Sequence, residues 1–376
     1  MTTTLIPVLS AIVAAGIVVA LTPWLGRAAR AIGAVDAPDE RRVHRVATPR
    51  LGGLAILVGF LVPTLYFFPG DGPARALLLG AIAIAILGAI DDIWGLNPAA
   101  KLLGQVACAA VPVSAGLTID HVTLPFLGVY DLGATQYVIT LVWFVALVNM
   151  INFTDGVDGL AAGIAAISAA TFALLAASLD RADPAILAAA LAGACLGFLY
   201  FNFNPARIFM GDSGSMLLGF VLAGVAVSGV MKSAAAIALV APLLILAIPI
   251  LDTSFVVMKR IKHGLPVYAA DRSHFHHRFL NIGWSQRRTV LAVYAWCGLM
   301  GLIAVSIRFV PYTDGAGDYQ LWGSLALLGL GAVALLAAVS LIYVLEILKW
   351  GKTPVVKIVR ERSLERARAK AANLAD

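Results

Sequence analysis

Long apolar runs separated by short polar segments fill this chain. Eleven stretches, at about 4–23, 51–69, 74–90, 101–117, 134–151, 158–179, 184–203, 214–231, 234–257, 289–310 and 320–348, approach the length needed to cross a bilayer. That length is about 20 mostly apolar residues in a helix. Together they account for most of the 376 residues, which leaves no room for a separate soluble domain. The first stretch follows Met-Thr-Thr-Thr, without a basic leader, and reads as an uncleaved helix. One segment breaks the pattern. Residues 118–131 alternate around Pro125 and Gly128 and are β-branched, which predicts a short hairpin. The fold expected is an all-α polytopic membrane protein of about eleven transmembrane helices with one small hairpin. It forms a single membrane domain over 1–350 and a basic tail over 351–376.

Composition agrees. The chain is 61% apolar and 13% charged, against roughly 45–50% and 25% in soluble domains. Mean hydropathy is +0.92. These values exclude disorder, collagen, coiled coil and a disulfide-stapled secreted domain. Cys108, Cys195 and Cys297 lie inside apolar runs with no zinc or redox spacing.

The net charge of +6 changes the picture through its distribution. Of 27 Lys and Arg residues, 23 fall in the loops after odd-numbered spans and in the tail. Only Arg75, Arg181, Lys232 and Arg308 fall on the other side. The positive-inside rule then places the N-terminus and the hairpin outside, and the C-terminus in the cytoplasm. No basic stripe with interleaved aromatics is present, so nucleic acid is not an expected partner.

Five polar groupings interrupt the apolar pattern: 36–53, Asp91-Asp92 with Lys101 beyond, 149–163, 202–215 and 271–279. All follow odd-numbered spans and so open to the same side. Carboxylates at a membrane border are expensive and are functional candidates by default. Asp91 and Asp92 close a helix, where the dipole disfavours anions unless Lys101 or a cation compensates. Asn149, Asn152, Asp155 and Asp158 recur every three residues, an oxygen-rich set suited to a hard cation, with Gly156 and Gly159 marking a break. The alternative is a polar loop capping the next helix. Asp212 sits between Gly211 and Ser213, where it reads either as an N-cap or as a metal ligand beside a phosphate-binding helix start. His274, His276 and His277 lie between Arg272 and Arg278; the set suits a phosphate cradle better than zinc.

These motifs, in this order, resemble the polyprenyl-phosphate N-acetylhexosamine-1-phosphate transferases over roughly residues 24–290. They are Pro49-Arg50-x-Gly52-Gly53, Asp91-Asp92 with Lys101, Asn149-x-x-Asn152-x-x-Asp155-Gly-x-Asp158-Gly, Phe209-Met210-Gly211-Asp212, and His274-x-His276-His277-Arg278. The resemblance implies Mg²⁺, with Mn²⁺ as substitute, held by Asn152 and Asp212. It implies catalytic roles for Asp91, Asp92 and His276. It implies substrate contacts by Arg50, Lys101, Asn149, Asp155, Asp158, Arg272, His274 and His277.

The implied partners are a UDP-N-acetylhexosamine, a polyprenyl phosphate and the membrane, with a homodimer left open. The implied place is a bacterial cytoplasmic membrane with the site facing the cytoplasm. Phe275 separates His274 from His276, and no Pro-Ile precedes them. This resembles the branch that uses UDP-N-acetylglucosamine and undecaprenyl phosphate for teichoic acid or O-antigen. The branch acting on UDP-MurNAc-pentapeptide is the alternative.

Two other classes fit less well. A secondary transporter would place polar breaks at mid-membrane in corresponding halves. An intramembrane prenyltransferase would show an Asp-x-x-x-Asp motif, which Asp91-Asp92-Ile93-Trp94-Gly95 lacks.

Overall fold

A computed structural model describes residues 2–36, 48–67, 72–124, 128–231, 237–262, 279, 283–311 and 320–344. Arg272, His274, His276, His277 and the tail 351–376 lie outside the described residues.

The apolar runs become helices: α1 (Thr2–Ala31), α2 (Gly52–Phe67), α3 (Pro73–Trp94), α4 (Pro98–Ser114), α5 (Thr135–Thr154), α6 (Leu160–Ser178), α7 (Ala182–Asn202) and α8 (Gly211–Val225). They continue as α9 (Ile237–Ile245), α10 (Ala247–Lys262), α11 (Gln286–Arg308) and α12 (Leu321–Val344). A π-helical turn, Ala226–Met231, extends α8. Among the described residues, eight helices are long and apolar enough to cross a membrane. Within the expected span at 234–257 the described residues form two consecutive helices, α9 and α10, that meet at Leu246, whose N–H still reaches the Pro242 carbonyl at 3.0 Å.

Strands β1 (Val35–Asp36) and β2 (Thr48–Pro49) form a small antiparallel pair. Strands β3 (His121–Leu124) and β4 (Gly128–Asp131) form the expected hairpin, in register from His121 opposite Asp131 to Leu124 opposite Gly128. It joins the end of α4 to the start of α5, away from Lys101 and Asn152. The chain forms one compact unit through Ala334, and the last part of α12 belongs to a second.

Within the first unit α8 is the centre. It lies against α2, α3, α5, α6 and α7, and every residue from Ser213 to Val225 is buried. A helix apolar all round belongs in such a position. Phe220 meets Phe144 of α5 with ring centroids 4.9 Å apart. Because α8 is enclosed, its N-terminal end is held by several neighbours at once, and the polar motifs gather there.

Candidate active site

Helix α3 ends at Gly95, whose N–H reaches the Asp91 carbonyl at 2.9 Å. Two residues on, Asn97 caps α4 by accepting the Ala100 N–H at 2.8 Å, with Pro98 at the first helical position. The tight connection returns the chain beside itself and places Lys101, in the first turn of α4, against Asp91. Asp91 accepts the Leu96 N–H at 2.6 Å through Oδ1 and pairs with Lys101 Nζ at 2.8 Å through Oδ2. Lys101 also donates to Asp212 Oδ2. The other Asp212 oxygen accepts from Asn152 Nδ2 at 2.9 Å, and the same amide nitrogen reaches Ser215 Oγ at 2.8 Å. Motifs from α3, α4, α5 and α8 thus meet at one carboxylate.

Asp92 faces the start of α8. Its two oxygens accept the backbone N–H groups of Asp212 and Ser213 at 2.9 and 3.0 Å. The residue flanking α8, Met210, offers no side-chain cap. Asp212 is not the cap either; it is the second residue of the helix. A carboxylate from α3 performs the capping from across the bundle, where it satisfies orphan N–H groups and complements the helix dipole. Gly211 makes this approach feasible. Its φ is +69°, and a Cβ there would stand 2.3 Å from an Asp92 carboxylate oxygen.

The Pro-Arg-x-Gly-Gly motif runs alongside the segment preceding α8. Phe209 N–H donates to the Pro49 carbonyl at 2.9 Å, while Gly52 and Gly53 donate to the Phe209 and Met210 carbonyls at 3.0 and 2.9 Å. A Cβ on Gly53 would lie 2.1 Å from the Gly214 nitrogen, so α2 and α8 meet backbone to backbone. Arg50 pairs with Asp36 at 2.6 Å.

The three-residue polar repeat is divided by the end of α5. Asn149 and Asn152 share a face of that helix, whereas Asp155 and Asp158 lie in the loop leading to α6. Burial, with the charges of Asp212 and Asp92 close by, pushes the Asp155 carboxyl well above the ordinary carboxylate range. Asp158 is buried and accepts the Asn204 amide and the Ala206 N–H, both at 3.0 Å. It therefore braces the segment between α7 and α8. Asn202 ties the same segment down, accepting the Gly159 N–H and donating to the Ile208 carbonyl, each at 3.0 Å. Tyr294 of α11 donates to the Gly159 carbonyl at 2.5 Å.

Gln105 and Tyr294 lie outside the five polar groupings of the sequence, while Asn202, Asn204 and Ser215 lie within the grouping 202–215 but carry no individual role in that reading. Gln105 was the most legible, being four residues after Lys101 and hence on the same helical face. The partners of the others depend on which helices become neighbours.

Around Asp212 stand the carboxylates of Asp91 and Asp92, the Asn152 amide, whose nitrogen faces Asp212 and whose oxygen is a hard donor, and Lys101 as the side-chain cation. Among the described residues, no three His, Cys, Asp or Glu side chains gather as a metal cage. Hard oxygen donors too few to enclose an ion fit a divalent cation such as Mg²⁺, which takes one or two protein ligands and completes its shell with substrate phosphate and water.

Fold and site together define a multi-pass membrane enzyme with an acidic, oxygen-rich centre at one end of its helices. Residues 74–230 match glycosyl transferase family 4. A probable undecaprenyl-phosphate N-acetylglucosaminyl 1-phosphate transferase of Bacillus subtilis is 38% identical over 293 residues, covering 77% of this chain and 82% of that one. A decaprenyl-phosphate N-acetylglucosaminephosphotransferase of Mycobacterium leprae is 37% identical over 345 residues, covering 83% and 86%. A phospho-N-acetylmuramoyl-pentapeptide-transferase of Desulforudis audaxviator is 35% identical over 306 residues, covering 71% and 88%. The chain belongs to this family of polyprenyl-phosphate N-acetylhexosamine-1-phosphate transferases.

Proposed function

We propose that the protein transfers N-acetylglucosamine 1-phosphate from UDP-N-acetylglucosamine to a polyprenyl phosphate, releasing UMP. The observation that carries the reading is the meeting of Asp91, Lys101, Asn152 and the Asp92-capped helix at Asp212. The names of the two acetylglucosamine-phosphate relatives support the donor.

An oxygen of the lipid phosphate attacks the β-phosphorus of the donor. The bond from that phosphorus to the UMP oxygen breaks, and UMP leaves with the electron pair. Repulsion between anions is the main barrier, so positioning and charge neutralisation dominate. The lipid phosphate has its second pKa near ~6, so it is largely dianionic at neutral pH and needs no strong base. Asp91, held by Leu96 and Lys101, orients rather than deprotonates. Lys101 carries positive charge to where phosphate oxygens gather. Asp92, with both oxygens engaged by N–H groups, holds the start of α8 in place.

Asn152 and Asp212 are the residues that would hold Mg²⁺, or Mn²⁺ in its place. Bound there with the diphosphate, the ion would neutralise charge on the phosphate oxygens. Asp155 belongs to the nucleotide pocket in this reading, and Asp158 to its supporting loop. Arg272, His274, His276 and His277 are assigned, on sequence alone, to a loop over the sugar nucleotide. The distribution of basic residues supports a cytoplasmic site with the N-terminus outside.

The test supplies purified protein in detergent with undecaprenyl phosphate, Mg²⁺ and one of two donors, and follows UMP. Release from UDP-N-acetylglucosamine alone is expected. Release only from UDP-MurNAc-pentapeptide would move the protein to the peptidoglycan branch. Release from neither would overturn the reading for both donors.

A further inference from the structure

Gln105 is 1% exposed, and so lies inside the bundle one helical turn beyond Lys101. Its side chain meets Asn149 of α5. Asn149 Nδ2 donates to Gln105 Oε1 at 2.7 Å, and Gln105 Nε2 returns to Asn149 Oδ1 at 3.4 Å. Asn149 Nδ2 also reaches the Val145 carbonyl at 2.8 Å, and Gln105 Nε2 reaches Met216 Sδ of α8 at 3.4 Å. A primary amide has two N–H donors. Both donors of Asn149 are therefore spent inside the protein, and none remains for a nucleotide or phosphate.

The spacing gives the pair a purpose. Lys101 and Gln105 are four apart on α4, and Asn149 and Asn152 are three apart on α5, so each pair shares a helical face. One member of each contacts the other helix. The remaining member reaches Asp212: Lys101 at Oδ2 and Asn152 at Oδ1. We propose that Gln105 and Asn149 are a positioning pair, whose amide–amide contact sets the separation of α4 and α5 so that Lys101 and Asn152 meet opposite oxygens of Asp212. Asn149 thereby becomes a residue that acts through its neighbours instead of touching substrate. The proposal rests on the transferase reading only for its kinetic readout.

The experiment compares Q105A, N149A, Q105A/N149A and the exchanged pair Q105N/N149Q with the wild-type full chain in detergent. The first readout is acylation of Lys101 by an amine reagent, mapped by mass spectrometry, which needs no turnover. Lys101 is expected to be protected in the wild type, several-fold more reactive in both single variants, and protected again in the exchanged pair.

The second readout is UMP release. A displacement of about 1 Å costs on the order of 100-fold in rate, so kcat is expected to fall by about 10–100-fold with the donor KM little changed. The double variant should be no worse than either single one, since removing one partner already breaks the contact. The exchanged pair should recover most of the rate, which a purely structural loss would not allow.

A raised donor KM at unchanged kcat in N149A, additive losses in the double variant, or unaltered Lys101 reactivity throughout would each overturn the proposal. Should the single variants not fold, Q105L/N149L decides, because it removes both amides without leaving a buried orphan. Wild-type kcat and Lys101 protection in that variant would also overturn it. A wild type releasing no UMP from any donor would sink the transferase reading, while the acylation pattern still decides the pair.

Discussion

Asp92 caps the helix that carries Asp212: its oxygens accept the N–H groups of Asp212 and Ser213 at 2.9 and 3.0 Å. Adjacent aspartates at the end of α3 thus have different surroundings. One secures the opening turn of α8; the other pairs with Lys101.

Asp92→Asn should destabilise the protein without creating a pH-rescuable defect. An amide keeps one acceptor but turns N–H donors toward the second backbone N–H. Loss of a good cap costs about 0.5–2 kcal/mol. Thermal unfolding in detergent should show a lower midpoint, and kcat should fall at all pH values. An unchanged midpoint would contradict the capping role.

Asp91→Asn should lower kcat without altering the shape of the pH–rate profile, because the attacking phosphate is already ionised. Single turnovers followed by ³¹P detection decide this. Recovery of the variant rate at raised pH would instead identify Asp91 as a base.

Removal of divalent ions by EDTA should stop UMP release, and Mg²⁺ or Mn²⁺ should restore it. Asp212→Ala should weaken Mn²⁺ binding, read by electron paramagnetic resonance, by more than the roughly 10–100-fold typical of an outer-shell partner. Retained Mn²⁺ affinity in that variant would move the ion elsewhere.

Gly211→Ala should be severely damaging. A left-handed backbone costs an ordinary residue roughly 1–2 kcal/mol, and the new Cβ would strike Asp92 at 2.3 Å. Gly298→Ala, in α11 with nothing within 4 Å of an added Cβ, is the control. There alanine should be neutral or stabilising by up to about 1 kcal/mol. Equal effects at both positions would contradict the close approach of Asp92 and α8.

Asp158→Ala should act on stability first. It leaves the Asn204 amide and the Ala206 N–H without this acceptor. Such buried losses cost about 1–3 kcal/mol. The expected signature is a lower unfolding midpoint, with Mn²⁺ affinity retained in the folded fraction.

Much of this was legible in the chain. Apolar runs fix helix positions because a bilayer or a buried core tolerates backbone only when its hydrogen bonds are internal. The hairpin at 121–131 followed from its alternation, and the end of α5 before Asp155 from its glycines. The turn at Leu246 within 234–257 is a local interruption that hydropathy does not register; Pro249 has no N–H to offer the Ile245 carbonyl.

The sequence determined which residues are candidates for chemistry: aspartates, a lysine and asparagines at helix ends near a membrane border are costly to place there. Only the tertiary structure decided their division of labour. Asp91 and Asp92 are identical by composition, yet they separate because successive side chains on a helix point in different directions; Asn149 and Asn152 share a face of α5 but lie about a turn apart, and so meet Gln105 and Asp212 respectively. Which neighbour is met depends on the packing of α3, α4, α5 and α8, and a one-dimensional pattern does not encode it.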